Sequence, residues 1–401
     1  MNPTEPAERA LLDAVDQERD ALVDFYRELV MIPSIWGHTE PLQQAAELIA
    51  GRLREAGFET ELQDSGTEGQ PMVLGRQVGS GGGRSLLLNG HMEVYPPSES
   101  WTVGPFDGVI KDGRLYGQGS ADMKGGTAAM TMAASLLGRH HGPIAGDLCV
   151  LAIPNHFEGG EGSRKAVRDG LMTDAAVICE PTDLRVVTGQ RGILYLTITT
   201  AGRAAHTTAT DIGVNAIERM AKAIVALGEM TPRNSAGEPI SDEKIVNTAM
   251  IEGGLEHNLI PESCTLTVDI RFSPEQSQDD VLRDVREAIA AALPADEFAV
   301  TIEPEQTCIR NPRSSLRLPD DHPLASAVAA AHSDATGTES AFGFHPAWPD
   351  TPAFNELGIP AITYGPGSME CYWDDESVDL DEYLNAIRTY CLVALRNCAA
   401  A

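Results

Sequence analysis

Short apolar runs alternating with helical patterns constrain this chain more than any other feature. SLLLNG at 85–90, DLCVLAIP at 147–154 and AAVICEP at 175–181 read as strands. Between the first two lies TAAMTMAASLL at 127–137, opened by Gly125-Gly126, whose Ala, Leu and Met predict a helix packed on a sheet. This order predicts an α/β fold: a catalytic domain with a mostly parallel sheet flanked by helices. The texture changes near residue 190. ILYLTITTAG alternates apolar residues with Thr, and after it come a helical stretch at 214–228, CTLTVDIRF at 264–272, a helical stretch at 279–293 and FAVTIEPE at 298–305. That succession predicts a small inserted α+β domain, after which AITYG at 361–365 returns to the first sheet. The expected boundaries are 1–188 and 305–401 for the two parts of the catalytic domain and 189–304 for the insertion.

Composition narrows the function classes. The 401 residues carry 59 acidic and 29 basic side chains, a net charge of −30, which repels phosphate backbones and anionic lipid. Neither nucleic acid nor a membrane surface is therefore an expected partner. A hydrophobic share of 42% and a charged share of 22% are those of an ordinary folded chain, so the acidity does not signal disorder. Seven cysteines (149, 179, 264, 308, 371, 391 and 398) form no C-x-x-C pair, which fits a reducing cytoplasm better than a disulfide frame or a zinc knuckle. The N-terminal thirty residues place acids where a signal peptide would carry Lys or Arg, and read as an amphipathic surface helix. No run approaches a membrane span. The Gly-rich turn at 79–83 lacks the Lys-Ser/Thr of a phosphate loop.

The residues with chemical potential stand at strand ends. LLLNGHMEVYP at 86–96 puts His91 and Glu93 at the C-terminal end of a predicted strand, where open α/β sheets bind ligands. His91 is a candidate metal ligand, with the Glu93 carboxylate in position to orient its ring. Asp122, in the Gly-rich GRLYGQGSADMKGG at 113–126, is either a helix cap or a ligand. Glu180 follows the next strand and precedes Pro181. One His, one Asp and one Glu converging on a crevice would form an open zinc site, with one position left for water.

With these motifs in hand, the whole chain resembles the zinc metallopeptidase family that includes acetylornithine deacetylase, succinyl-diaminopimelate desuccinylase, aminoacylase and carboxypeptidase G. GHMEVYP, Trp101 with GPFDG, LYGQGSADMKGG, CEPT, GRAAHTT, GGLEHNLIPESCTLTVDIRF, GIPAITYGPG and DDESV occur in the family's order. The resemblance implies an inserted lid that pairs two subunits into a homodimer, and amide hydrolysis at two zinc ions bridged by Asp122. It also implies that His206 reaches the neighbouring active site to stabilise an oxyanion, and that Asn258 and Arg271 hold the carboxylate of a small-molecule substrate. Gly365 and Gly367 are expected to form a loop that lets backbone approach the substrate.

The departures from the family are as informative. Where its members carry a Glu-Glu pair, base then ligand, this chain reads PNHFEGGEGS, with His156 at the base position and Phe157 at the ligand position. Where the last ligand, a His, is expected, Tyr372 stands, or Trp373 if the match is anchored on GPG; no His follows His345. Both losses fall on the same zinc. Asp122 and Glu180 supply −2, enough for one divalent ion, so one zinc per subunit is expected, with Mn or Co as alternatives. His156 can serve as general base in place of Glu, as an extra metal ligand, or as a polar filler, with Glu158 and Glu161 in reserve. The vacated pocket is expected to be filled by the Tyr372 ring. The expected function is hydrolysis of an amide or related C–N bond in an N-acyl amino acid. The alternative is a lyase, transferase or synthetase-like enzyme, or a catalytically silent binding protein, on the same fold.

Overall fold

A computed structural model describes residues 5–240, 245–293, 298–310, 312–368 and 374–399. The chain forms two compact units: Met1–Gly189 with Leu318–His345 and Pro349–Ala401, and Gln190–Arg317 with Pro346–Trp348. The return to the first unit comes at Leu318 rather than at 305. Residues 305–313 stay with the second unit because Cys308 belongs to its core and the Ile193 N–H donates to the Arg313 carbonyl at 2.9 Å.

The first unit is built on strands β1 (Glu59–Asp64), β2 (Pro71–Gln77), β3 (Leu86–His91), β4 (Leu148–Ile153), β5 (Ala175–Ile178), β6 (Val186–Gln190) and β7 (Ala361–Thr363), which neighbour one another in the order β1-β2-β4-β3-β5-β7-β6. The central pairs β3 with β4, β3 with β5 and β5 with β7 are parallel, while β1, β2 and β6 pair antiparallel. β3, β4 and β5 are buried along their whole length. Because side chains alternate across a strand, Leu86, Leu88, Leu148, Val150, Ala175 and Val177 face one core and Leu87, Cys149, Leu151, Ala176 and Ile178 the other. Helices α1 (Thr39–Glu55), α2 (Gly125–His140), α4 (Pro323–Thr336) and α6 (Leu380–Asn397) cover the first face, and α3 (Glu161–Arg168) with α5 (Thr351–Asn355) the second. Each Leu or Val so enclosed contributes about 1.5–3 kcal/mol.

Gly126 explains how α2 comes so close to β5. A Cβ there would lie 1.7 Å from the Cys179 carbonyl oxygen, so only glycine allows the helix to start against that strand end. The N-terminal stretch is two helices, Glu5–Gln17 and Arg19–Met31, rather than one surface helix; the second buries Leu22, Phe25, Tyr26 and Leu29. No helix among the described residues is long and apolar enough to cross a membrane. All six described cysteines are buried, and Cys371 lies outside the described residues.

The second unit is a four-stranded antiparallel sheet in the order Ile245–Gly253, Ser263–Phe272, Gly192–Ala201, Val300–Pro304. The alternating burial of Gly192–Ala201 and Ser263–Phe272 turns Leu194, Leu196, Ile198, Leu266, Val268 and Ile270 toward helices Ala216–Glu229 and Gln278–Ala292. Both helices begin at side-chain caps. Asn215 accepts the Ile217 and Glu218 N–H groups, and Ser277 with Asp280 closes a reciprocal capping box.

Candidate metal centre

Parallel pairing brings three strand ends to one level. His91 is in register with Ile153, and Asn89 with Ile178, so the residues that follow β4 and β5 emerge beside His91. These include His156 and Glu180. His91 is buried, and its Nδ1–H donates to the Glu93 carbonyl oxygen at 2.9 Å, so Nε2 is the nitrogen that faces the other carboxylates. Nε2 stands 3.0 Å from Asp122 Oδ1 and 3.6 Å from Glu180 Oε1. Ligand atoms about 2.0–2.1 Å from a tetrahedral zinc are about 3.3 Å apart, so the two observed separations bracket that edge. Among the described residues, the group whose ligand atoms all lie within 4.8 Å of one another is His91, His156 and Glu180; Asp122 approaches it through His91.

The electrostatics agree. Burial opposes a charged His91, yet the carboxylates of Glu93, Glu180 and Asp122 prevail and push its pKa up to about 10. Burial raises Glu180 to about 8, with the neighbouring Asp122 adding to the effect. Glu93 Oε2 has no hydrogen-bond partner among the described residues and lies 3.6 Å from His91 Nδ1. Buried negative charge gathered in this way favours a cation in its midst.

Asp122 is held by a residue near the other end of the chain. The Glu376 carboxylate, itself buried, accepts the backbone N–H groups of Gly119 at 2.9 Å, Ala121 at 2.6 Å and Asp122 at 2.9 Å. Tyr26 donates to the Ser120 carbonyl and Lys124 to that of Ile32, so the loop is tied on both sides. Burial pushes Glu376 to about 8.

His156 stacks on His91, with ring centroids 4.7 Å apart and planes 11° from parallel. Its Nε2 lies 4.0 Å from Glu180 Oε1, beyond the tetrahedral edge, while the ligand atoms of His91, His156 and Glu180 all fall within 4.8 Å of one another. Its Nδ1 is 2.7 Å from Asp350 Oδ1, and Asp350 Oδ2 accepts the Ser163 hydroxyl at 2.5 Å. An ionised carboxylate only accepts, so Asp350 fixes Nδ1 as the protonated nitrogen and turns Nε2 toward the centre. Burial works against charge on His156, but Asp350 wins and holds its pKa above the usual histidine value.

Phe157 points an apolar ring where the resemblance puts a ligand. It stacks on Tyr95 at 3.9 Å and meets His91 at 5.4 Å, and its N–H donates to Glu93 Oε1. Tyr372 lies outside the described residues. The reserve carboxylates are engaged elsewhere: Glu158 accepts Trp36 Nε1–H and the Thr67 hydroxyl, and Glu161 pairs with Arg168. Gly365 does permit close approach, but to the chain's own backbone. Its Cβ would lie 2.5 Å from the Cys179 oxygen and 2.6 Å from that of Glu180. Gly367, at φ +92°, packs against Ala121 and donates its N–H to Glu382.

In the second unit, His206 and Asn258 come together on a short ladder, where His206 pairs with Leu259 and the Thr207 N–H donates to the Asn258 carbonyl at 3.0 Å. His206 is exposed, with Nδ1 2.9 Å from the Thr208 hydroxyl. Arg271 sits on Ser263–Phe272 and grips Asp269 through two 2.8 Å bonds from Nε and Nη2.

Asp350 and Glu376 are the site residues that sequence reading passed over. Asp350, in WPDTP, carries no local signal. Glu376 does, since it stands in the DDESV motif, but its partners lie more than 250 residues away.

A buried histidine and Glu180 at the C-terminal ends of parallel strands, with Asp122 in a loop beside them, are an arrangement of side chains able to hold a metal ion on an α/β unit interrupted by an α+β unit. The chain belongs to Peptidase family M20/M25/M40, whose family model matches residues 87–396. It is similar to an N-formyl-4-amino-5-aminomethyl-2-methylpyrimidine deformylase of Bacillus subtilis (strain 168), 25% identical over 386 residues and covering 90% of each chain. It is also similar to a succinyl-diaminopimelate desuccinylase of Methylorubrum populi, 30% identical over 375 residues, 88% of this chain and 93% of that one. Among solved structures, human carnosine dipeptidase 1 shares the fold with a TM-score of 0.78 at 16% identity, over 97% of this chain and 98% of that one.

Proposed function

We propose that this protein hydrolyses an amide-type C–N bond in a small N-acylated compound at one metal ion held by His91, Asp122 and Glu180. The observation that carries the reading is the pair of Nε2-to-carboxylate separations, 3.0 and 3.6 Å, around a His91 whose Nδ1 is already satisfied. A zinc ion held there would supply a water of pKa about 7 and a Lewis acid for a carbonyl, and Mn or Co would suit the same donors. Deformylase and desuccinylase relatives, both named for removing acyl groups, support amide hydrolysis.

His156 takes the proton of the attacking water at Nε2, and Asp350 holds the resulting imidazolium through Nδ1, as an orienting carboxylate does for a catalytic histidine. The 4.0 Å gap to Glu180 leaves His156 outside the ligand shell and beside it. A second reading, His156 as a fourth ligand, draws on the three ligand atoms within 4.8 Å of one another. Metal affinity and turnover of His156→Ala separate the two. As base, its loss lowers turnover by about 10²–10⁴ and spares affinity; as ligand, its loss costs affinity first.

Substrate carboxylate binding by Asn258 and Arg271, and oxyanion stabilisation by His206 from a paired subunit, belong to this reading by resemblance. Pairing through the lid is supported by its edge strand Ile245–Gly253, which exposes Met250 and Ile251 (66% and 57%) and has a neighbour on one side. Hydrolysis of N-acetyl, N-formyl and N-succinyl amino acids by the zinc-loaded protein is the direct test. Zinc binding without turnover of any of them would favour a non-hydrolytic enzyme or a binding protein.

A further inference from the structure

We propose that Ser163 and Asn89 are positioning residues for the reaction, acting through Asp350 on the ring of His156. This rests on the reading of His156 as the base and adds the groups that aim it.

A single line of hydrogen bonds joins these side chains. Asn89 Nδ2 donates to Ser163 Oγ at 3.3 Å, the Ser163 hydroxyl donates to Asp350 Oδ2 at 2.5 Å, and Asp350 Oδ1 lies 2.7 Å from His156 Nδ1. What each group can give sets the direction of the line. Asn89 Nδ2 also donates to the Leu151 carbonyl at 3.2 Å, and a carbonyl only accepts, so the amide has one orientation. The lone hydroxyl hydrogen of Ser163 goes to the Asp350 carboxylate, and the Asn89 N–H meets the serine oxygen. A carboxylate held at both oxygens cannot turn away from Nδ1.

The fold brings the line together on one face of the sheet. Asn89 lies on β3 two residues before His91, so both side chains turn to the same face. That face is covered by α3, which carries Ser163, and by α5, which Asp350 directly precedes. The start of α3 is fixed beside His156, because the Gly162 N–H donates to Asn155 Oδ1 at 2.8 Å and Asn155 Nδ2 donates to the Ser65 carbonyl at 3.0 Å. The strand that carries His91, the turn that carries His156 and the helix that carries Ser163 are thus tied to one another.

Stability alone does not call for such a line. Asn89, Ser163 and Asp350 are all buried, on a face whose other side chains form an apolar cluster. Apolar groups of the same shape would serve packing about as well as a hydrogen-bonded pair. Asn89 Oδ1 has no hydrogen-bond partner among the described residues, so the amide is kept at a cost, for what its Nδ2 does.

Ser163→Ala removes the hydroxyl and keeps a good helix former, so the variant folds, which melting curves verify. Nitrogen NMR of zinc-loaded protein with labelled histidine, at a pH where the ring is neutral, reads the tautomer of His156, assigned by the signals lost in His156→Ala. The wild type should hold the proton on Nδ1 alone, and Ser163→Ala should show a mixture. In steady-state kinetics on N-acetyl, N-formyl and N-succinyl amino acids, Ser163→Ala should lower kcat about tenfold with KM within about twofold, and Asn89→Leu about threefold. Once Asp350→Ala is in place, Ser163→Ala should cost nothing further, whereas a purely structural serine would cost the same in both backgrounds. A tautomer that Ser163→Ala leaves intact, or equal losses in the two backgrounds, overturns the proposal. A mixture of tautomers with kcat unchanged overturns His156 as base and leaves the positioning line standing.

Discussion

His156 and Asp350 stand 194 positions apart in sequence, and Nδ1 of the one lies 2.7 Å from Oδ1 of the other. That bond decides which imidazole nitrogen faces Glu180. His156→Ala should lower turnover by about 10²–10⁴ and leave zinc affinity within a few-fold. Asp350→Ala should lower it by about 10–100 through loss of the fixed tautomer. Steady-state kinetics with zinc competition titrations check both. A fall in zinc affinity that matches the loss of turnover in His156→Ala would make His156 a ligand.

Glu376 neutralises three buried backbone N–H groups in the loop that carries Asp122. A buried donor left unmade costs about 1–3 kcal/mol, so Glu376→Ala should destabilise the first unit by about 3 kcal/mol or more and weaken zinc binding with it. Denaturant titration and metal competition measure the two effects. Glu376→Ala with wild-type zinc affinity would show that the loop holds Asp122 without it.

Metal analysis of purified protein should find one ion per chain. Stripping it with a chelator should lower the melting temperature, since at about a hundredfold excess over Kd a bound ion adds about 2.7 kcal/mol. Two ions per chain would sink the one-metal reading.

The lid edge gives a prediction about assembly. Met250→Lys with Ile251→Lys places like charges on the exposed strand and should convert a dimer into monomers in sedimentation velocity, with the monomer still folded. A sedimentation coefficient unchanged by the two lysines would move the interface elsewhere.

The capping box of the second unit gives a pH dependence away from the site. Hydrogen bonds from the Ser277 backbone lower Asp280 to about 2 against an ordinary value of 3.8, outweighing burial. A carboxyl lowered in the fold contributes stability above its unfolded pKa, and that stability is lost as pH falls from about 4 toward 2. Asp280→Asn should lose this acid-side slope in thermal melts between pH 2 and 5.

The strands that carry the site were legible because their composition is a consequence of burial. SLLLNG, DLCVLAIP and AAVICEP are apolar on both faces, and they became β3, β4 and β5 with ends shifted by up to three residues. The edge strands β1 and β2 were not legible, since ETELQD is polar and PMVLGRQ carries one short apolar run. Their pairing is supplied by β4, through β2. The second boundary of the lid was also hidden, because what keeps 305–313 with it is packing of Cys308 and a backbone bond to Ile193.

By itself the sequence determined that His91 and Glu180 stand at strand ends, because hydrophobic runs fix where strands stop, and it marked Asp122 in the Gly-rich loop before a helix. Only the tertiary structure decided what each group can do. Asp350 reaches His156, Glu376 reaches the Asp122 loop, and Ser163 reaches Asp350, all across separations that no local pattern spans. Proton position and metal spacing depend on tenths of an ångström between such residues, and that precision exists only once the chain is packed.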